Sequence, residues 1–429
     1  MLIYIKEDCN LKCVLVASDK LFDTNRTADL KEVLGELGSL ANTLSFSVLD
    51  SQILKLKKIN SSTYYGVGQI KSINNKISAL NCDHVIFNDD ISPSQYKNIQ
   101  KLLNEKIKIF DRTGLILEIF KKNAKTKESK LQVELASLQY MLPRLTGQWT
   151  HLERQMGGVG TRGGPGEKQI EIDRRLIGVR ITKLKKDLAN IKKNRKVQSS
   201  MRKKAFRVSL AGYTNAGKSS LLNALTKPGT TYVKDKLFAT LDTTTKSVQI
   251  LKNKTILMTD TVGFIKDLPH NLVASFRSTF EEVNSSDLIL IVVDASQNRK
   301  NIKEHIDTIK ATLEQMDIKI KRSMLIFNKI DLVEDLASIN YLKKKFPDSI
   351  FISAREYIMI DEIKEAIRSI LSADCSLKKI KIPFNKTYLI NKVYSQFEIK
   401  SNIQKEDCTE LKAMISEVEY QKIIKILKE

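Results

Sequence analysis

The chain of 429 residues is 42% hydrophobic and carries a formal net charge of +23, with a pI near 9.6. This length predicts about two to four domains. The excess of positive charge predicts a polyanionic partner, either nucleic acid or an anionic membrane in peripheral contact. We expect no transmembrane segment, because the most apolar stretch, Leu288–Val293, is too short to cross a bilayer.

The N-terminal residues and the cysteines indicate a compartment. The first residues lack the basic segment and long apolar run of a signal peptide. The five cysteines are an odd, scattered set, which favours reduced thiols over a disulfide or zinc framework. We therefore expect a cytoplasmic protein.

Residues 1–125 alternate strand and helix patterns, which predicts an N-terminal α/β subdomain. The predicted strands are apolar runs at Cys13–Ala17, His84–Phe87 and Lys106–Phe110. The predicted helices lie around Leu30–Leu40, Ile70–Leu80 and Gln95–Leu103.

Two apolar seams with alternating spacings of four and three predict an antiparallel helical hairpin over residues 126–205. The first seam is Leu131, Leu135, Leu138 and Leu142, and we expect Pro143 to end its helix. The second seam is Ile177, Ile181, Leu184, Leu188 and Ile191. Residues 174–207 contain 14 Lys or Arg and one acid, Asp187. Such a run is ordinarily a solvated helix face, but this much uncompensated charge favours contact with an RNA or DNA backbone.

A glycine-rich stretch joins the two seams. Gly157–Lys168 holds six glycines, and Gly158–Gly163 reads GxGxxG. A dinucleotide site would need a strand before this motif and a helix directly after it. The preceding GQWTHLERQM is polar, and Gly164 and Pro165 interrupt any such helix. We therefore predict an exposed loop at the hairpin tip that approaches phosphates, with a passive hinge as the alternative.

Strand and helix patterns alternate again over residues 206–373, which predicts a second α/β domain. We expect residues 374–429 to form a small α+β module that begins with the strand-like KKIKIPF and ends in a helix. The predicted strands of the second domain are Arg207–Ala211, Ser247–Leu251, Thr255–Thr259, Leu288–Val293, Met324–Phe327 and Ile350–Ile352. Its first strand leads into GYTNAGKS, Gly212–Ser219, and then a helix, which is the setting of a P-loop. Lys218 would reach the β- and γ-phosphates and Ser219 would bind Mg²⁺.

Three later motifs follow in the order expected of a Ras-like GTPase domain. In NKID, the carboxylate of Asp331 matches the N1–H and N2–H₂ donors of guanine, which adenine lacks. Asn328 would contact the N7 edge and the P-loop, and Lys329 would cover the ring. A backbone N–H at Ser353–Ala354 would meet guanine O6.

DTVG and FATLD suit the two switch segments. Asp260 fits an outer-sphere Mg²⁺ role, and the N–H of Gly263 can sense the γ-phosphate. Thr240 lies 21 residues after Ser219 and suits a Mg²⁺ ligand. On chemistry alone, other threonines compete for that role, namely Thr243, Thr244 and Thr245.

The glutamine that orients the attacking water in Ras-type enzymes is absent. Phe264 occupies that position and cannot hydrogen-bond water. Intrinsic hydrolysis should therefore be slow, and another group must assist. Arg277 and His270 are the nearest candidates along the chain.

Motifs along nearly the whole chain resemble those of the HflX family of translation-factor-related GTPases. They are GYTNAGKS, FATLD, DTVGFI, LPHNLVASFRSTFEE and NKID, with FDRTGLILEIF, AKTKESKLQVELASLQYMLPRL, GQWTHLERQMGGVGTRGGPGEKQIEIDRRL and IKIPFNKTYLI outside the GTPase domain. The resemblance implies a GTPase that binds GTP and GDP and the large ribosomal subunit with its rRNA. In several members this activity splits stalled or idle ribosomes. We expect a monomer.

The resemblance also implies the site residues. Catalysis would use Lys218, Thr240 and Gly263, and Mg²⁺ would bind Ser219 and Thr240. Asn215 stands where potassium-stimulated GTPases carry an asparagine ligand for K⁺, with bracing of the loop as the alternative role. The implied nucleotide contacts are Gly212, Tyr213, Thr214, Asn215, Ala216, Gly217, Lys218, Ser219, Phe238, Ala239, Thr240, Leu241, Asp242, Asp260, Thr261, Val262, Gly263, Asn328, Lys329, Ile330, Asp331, Ser353, Ala354 and Arg355.

The chain departs from the family pattern at two places. Thr243 replaces the usual proline after the switch aspartate, and TRGGPGE carries one extra glycine. Neither change touches a predicted nucleotide ligand, but both could alter coupling to the ribosome. Two other functions fit the same motifs, a GTPase in ribosome assembly or RNA modification and a nucleotide-gated RNA-binding module.

Overall fold

The structure is a computed structural model. It describes residues 11–21, 30–104, 106–145, 165–201, 205–226, 237–238, 240–251, 254–265, 282–316, 318, 320–373, 375–405 and 407–428. Ala239, the glycine-rich loop through Gly164, His270 and Arg277 lie outside the described residues. Contacts divide the chain into two compact units. The first comprises residues up to 201 with the described parts of 234–242 and 262–280, and the second contains the rest.

A four-stranded parallel sheet forms the core of the first unit, in the order β2-β1-β3-β4. Its strands and helices are β1 (Leu11–Lys20), α1 (Leu30–Thr43), β2 (Phe46–Leu56), α2 (Val67–Ala79), β3 (His84–Phe87), α3 (Pro93–Leu102), β4 (Lys108–Asp111) and α4 (Arg112–Asn123). The predicted α/β subdomain is confirmed, but β2 and α4 were not predicted. β4 also begins two residues later than the predicted strand.

Two further helices of the first unit carry the predicted seams. They are α5 (Lys127–Met141) and α6 (Pro165–Met201). On α6, Leu184 is fully buried while the neighbouring lysines are exposed, which confirms the seam. Arg180 of α6 donates two hydrogen bonds, of 2.7 and 2.9 Å, to Glu134 of α5. The helix α5 ends at Met141, just before Pro143 as expected, and a 3₁₀ turn, Leu142–Arg144, follows it.

A six-stranded sheet organises the GTPase region of the second unit, in the order β10-β9-β8-β5-β7-β6, with only the edge strand β6 antiparallel. Its elements are β5 (Arg207–Gly212), α7 (Lys218–Thr226), β6 (Thr244–Leu251), β7 (Lys254–Asp260), β8 (Leu288–Asp294), α8 (Arg299–Gln315), β9 (Ser323–Asn328), α9 (Leu336–Lys345), β10 (Ile350–Phe351) and α10 (Ile360–Ala373). All six predicted strands are present. Parallel strands bring the carboxyl ends of β5, β7, β8 and β9 to one edge, where α/β sheets bind ligands.

The C-terminal residues form a small antiparallel sheet, in the order β11-β13-β12, with two helices against it. The elements are β11 (Cys375–Pro383), α11 (Tyr388–Gln396), β12 (Glu398–Gln404), β13 (Cys408–Ser416) and α12 (Glu417–Lys428). Ile380, Leu411 and Ile415 are fully buried in its core. The predicted α+β module is therefore confirmed.

Candidate nucleotide-binding site

The P-loop is shaped by two glycines that no other residue can replace. A Cβ on Gly212 would collide with the carbonyl oxygen of Val292 on the neighbouring strand β8. Gly217 has φ +89°, and a Cβ there would collide with the side-chain amide of Asn328. Asn215 also adopts the left-handed region, at φ +62°, which asparagine tolerates better than most residues. The loop between β5 and α7 is thus tightly determined.

Lys218 lies inside this loop with its residue only 6% exposed. Its Nζ donates to the carbonyl oxygens of Gly212 at 3.0 Å and Tyr213 at 2.9 Å. Burial lowers the pKa of the ammonium to about 8, and the carboxylate of Asp260 opposes this shift. The loop therefore holds a destabilised cation, which phosphate oxygens would stabilise.

Ser219 and Asp260 meet directly. The hydroxyl of Ser219 donates to Oδ2 of Asp260 at 2.5 Å, and Asp260 is 1% exposed. The hydroxyl of Thr261 donates to the carbonyl oxygen of Leu210 at 2.6 Å, which ties the end of β7 to β5. The first turn of α7 and the end of β7 thus place a hydroxyl and a carboxylate side by side.

This pair fits a magnesium ion. Mg²⁺ prefers hard oxygen ligands and commonly keeps waters and substrate phosphates beside one or two protein oxygens. Within the described residues, no cluster of three or more His, Cys, Asp or Glu could hold a metal unaided. A Mg²⁺ ion at Ser219 would therefore depend on phosphate oxygens for much of its coordination.

Asn328 connects three parts of the predicted guanine site. Its Nδ2 donates to the carbonyl oxygen of Ala216 in the P-loop at 2.9 Å. Its Oδ1 accepts from the N–H of Ala354 at 2.9 Å, so this N–H braces the loop after β10. The expected tie between NKID and the P-loop is present, whereas contacts with guanine N7 and O6 stay predictions.

Lys329 is positioned by a residue that the sequence reading missed. It has φ +64°, and its Nζ lies 2.8 Å from a carboxylate oxygen of Asp294 at the end of β8. Asp294 and Asn328 are paired across β8 and β9. The polar residue that ends the buried run LILIVV was the available signal, since strands β8 and β9 end at the same edge.

Three further residues predicted to contact nucleotide, Asp331, Arg355 and Tyr213, lie in the second unit. Asp331 lies in the 3₁₀ turn Ile330–Leu332, and its side chain is exposed. A bound base would cover this carboxylate and remove water from it, so a base without matching donors would be disfavoured. Arg355 is also exposed. Tyr213 stacks on His305 of α8, with ring centroids 3.9 Å apart, a contact that the sequence did not indicate.

The predicted switch residues of 238–242 and 262–263 group with the first unit, whereas Asp260 and Thr261 group with the second. Phe238 and Leu241 are 2% exposed, and Thr240 is partly buried. Val262, Gly263 and Phe264 are buried, and Phe264 is only 1% exposed. The P-loop, Asp260, NKID and Ser353–Arg355 are gathered in the second unit, and the switch residues of 238–242 and 262–263 belong to the first.

Comparisons with known proteins cover the same regions. Residues 31–121 match the family described as GTP-binding GTPase N-terminal, residues 123–202 the GTP-binding GTPase Middle Region, and residues 207–329 the 50S ribosome-binding GTPase. The GTPase HflX of Magnetococcus marinus is 40% identical over 385 residues, which cover 89% of this chain and 87% of the relative. The chain belongs to the HflX GTPase family.

Other HflX GTPases agree with this membership. The Escherichia coli K12 protein is 36% identical over 379 residues, covering 88% of each chain. A solved GTP-binding protein of Sulfolobus solfataricus, in complex with GDP, shares 25% identity over 85% of this chain and 99% of its own, with a TM-score of 0.45. As a member of the HflX family, the chain is a GTP hydrolase with a P-loop GTPase domain. None of the helices described is long and apolar enough to cross a membrane.

Proposed function

We propose that this GTPase binds the large ribosomal subunit and its rRNA in a nucleotide-dependent way and dissociates or rescues stalled or idle ribosomes. It would act as a monomer in the cytoplasm, with the domain division 1–125, 126–205, 206–373 and 374–429. The exposed basic face of α6 carries the proposal, and the family description of residues 207–329 as a 50S ribosome-binding GTPase supports it.

The basic face of α6 suits a nucleic-acid backbone. Within residues 171–194, its exposed cations are Arg174, Arg175, Arg180, Lys183, Lys185, Lys186, Lys192 and Lys193. Arg180 is paired with Glu134, but that pair is itself at the surface. Phosphate contacts of this kind release counterions, so the interaction should weaken steeply as salt rises.

The nucleotide site would work through charge neutralisation and positioning. Lys218 would hold the β- and γ-phosphates, Ser219 and Thr240 would bind Mg²⁺, and the N–H of Gly263 would meet the γ-phosphate. The other nucleotide contacts predicted from the sequence are part of the same proposal. A bound Mg²⁺ supplies positive charge to the phosphate oxygens.

Potassium is a second proposed ion. Asn215 lies in the P-loop at φ +62°, and its side chain is exposed to solvent rather than packed inside the loop. A K⁺ ion near the β- and γ-phosphates would neutralise charge as an arginine finger does. This role complements the absent glutamine, because Phe264 cannot hold water.

Sedimentation with purified ribosomes tests the proposal. The protein should co-sediment with large subunits when loaded with a non-hydrolysable GTP analogue and leave them with GDP, and 70S particles should separate into subunits. Binding only to precursor particles would instead support a role in assembly. GTP turnover should rise well above the intrinsic rate with large subunits. Absence of this stimulation at low salt would contradict a ribosomal activator.

A further inference from the structure

Two anchors hold the switch loop within the first unit, one on each side of Thr240. On one side, the side-chain amide of Asn123 donates to the carbonyl oxygen of Phe238 at 2.7 Å. The ring of Phe238 also packs edge-on against Phe120, with centroids 4.8 Å apart. Both contacts come from the last turn of α4.

The second anchor is the carboxylate of Asp242. Its Oδ2 accepts from the backbone N–H of Lys125 at 2.8 Å and of Thr126 at 3.2 Å, and its Oδ1 accepts from the hydroxyl of Thr126 at 2.6 Å. Burial alone would raise the pKa of Asp242, but hydrogen bonds from Ser129 and Thr126 hold it below its ordinary value. Thr126 is also the N-cap of α5, because its Oγ1 accepts from the N–H of Ser129.

The described residues beside Thr240 are constrained. Phe238 has φ +54°, a region that bulky residues rarely adopt, yet its residue is 2% exposed. Such a conformation persists only where the surroundings determine it. Leu241 is buried to the same degree. Phe238 and Leu241, which lie on either side of Thr240, are therefore held by their own unit before any nucleotide contributes contacts.

We propose that Asn123 and Thr126 are positioning residues for GTP hydrolysis, because they fix Phe238 and Asp242 and so pre-order Thr240 for Mg²⁺ coordination. The inference rests on the proposed role of Thr240 as a Mg²⁺ ligand. Ordering a loop costs conformational entropy. A loop already held in place loses less of it when Mg²⁺·GTP binds. In GTPases the switch loops are ordered by contacts with the γ-phosphate and Mg²⁺ and are released after hydrolysis, so GDP binding should depend little on this loop.

The double variant Asn123→Ala/Thr126→Ala removes the side-chain hydrogen bond from each anchor. It leaves the ring of Phe120 and the two backbone donors to Asp242 in place. GTP turnover should fall several-fold at saturating GTP, and the Mg²⁺ concentration for half-maximal turnover should rise several-fold. The affinity for GDP should stay unchanged. Thr126→Ser keeps the hydroxyl and should restore the wild-type Mg²⁺ dependence when combined with the native Asn123.

The matched control is Ser92→Ala/Asn98→Ala in the same unit. Ser92 caps α3 by accepting from the N–H of Gln95, and the amide of Asn98 donates to the carbonyl oxygen of Ser62 at 2.9 Å. This control loses the same kinds of bonds without touching the switch loop, so its turnover and Mg²⁺ dependence should match wild type. If both double variants lowered GTP turnover and shifted its Mg²⁺ dependence equally, the anchors would only stabilise the fold in general, and the inference would be overturned.

Thr240→Ala separates the inference from the proposal beneath it. If Thr240→Ala leaves the Mg²⁺ dependence unchanged, the proposed ligand role of Thr240 is wrong. If Thr240→Ala impairs turnover while Asn123→Ala/Thr126→Ala behaves as wild type, the ligand role stands and the positioning role is overturned. Faster turnover in the double variant would also overturn it, since the anchors would then restrain the switch.

Discussion

Proton uptake by Lys218 should accompany nucleotide binding. Because burial lowers the pKa of this ammonium to about 8 in the free protein, roughly half of the molecules lack the proton at pH 8. Phosphate oxygens beside Nζ favour the charged form and should return the pKa to its ordinary range or above. Binding of GDP at pH 8 should therefore take up about 0.5 proton, against about 0.1 at pH 7 and about 0.9 at pH 9.

The affinity should follow the same titration. Above pH 8 only the shrinking protonated fraction binds without a protonation step, so the Kd for GDP should rise about tenfold per pH unit, or about 1.4 kcal/mol. Isothermal titration calorimetry in buffers of different ionisation enthalpy measures the proton count directly. GDP is preferred to GTP because it is not hydrolysed during the titration.

Lys218→Arg is the control, since a guanidinium stays protonated throughout this range. Any proton that guanine N1 itself gains on binding is common to both proteins, so the difference between them isolates Lys218. An equal proton count for wild type and Lys218→Arg at pH 8 and 9 would refute the reasoning that the P-loop holds a destabilised cation.

Four further predictions concern other residues. Asp331→Asn should weaken GTP by about 1–3 kcal/mol and favour xanthine nucleotides, and equally tight binding of ATP and GTP to wild-type residues 206–373 would contradict this specificity. Turnover should be higher in K⁺ than in Na⁺, with the difference lost in Asn215→Ala; equal rates for wild type in both salts would exclude a K⁺ site. Replacing Gly157–Gly164 with an equally long serine-rich linker should weaken subunit binding without changing GTP affinity, and unaltered ribosome binding would leave the loop as a hinge. Burial lowers the pKa of His84 below 6.5, so protonation favours the unfolded chain and stability should fall as the pH drops below about 6.5. The melting temperature of His84→Gln should lack this part of the pH dependence. Identical pH profiles of the melting temperature for wild type and His84→Gln would count against the prediction.

The elements predicted from sequence are those whose patterns are locally complete. β3 and β8 are apolar apart from His84, which begins β3, and Asp294, which ends β8, and both strands are buried along their whole length. β2 escaped prediction because it is an edge strand in which exposed and half-buried positions alternate, so polar residues interrupt its run. α4 escaped because its first turns are almost entirely buried, which leaves no polar face to reveal a helical period.

The residues of the candidate site also differ in whether the sequence alone could predict them. GYTNAGKS and NKID can be read locally, because their spacing is set by one turn of backbone around a phosphate or a base. The partners of those motifs are distant along the chain. Asp294 reaches Lys329 through a neighbouring strand, and the hydroxyl of Thr126 meets Asp242 across 116 positions. A single sequence gives no sign of such pairings, since each partner is an ordinary polar residue in its own surroundings.

The bonds between Asp242 and the start of α5 limit how this protein can be divided or recombined. A chain shortened to residues 206–373 keeps Phe238 and Asp242 but loses every hydrogen-bond donor from residues 120–129. Its switch loop would therefore lack the contacts that hold this loop in the full chain. A chimera that exchanges the N-terminal half must carry residues 238–242 with it. Across the relatives, positions 126 and 242 should accordingly have been inherited as a pair.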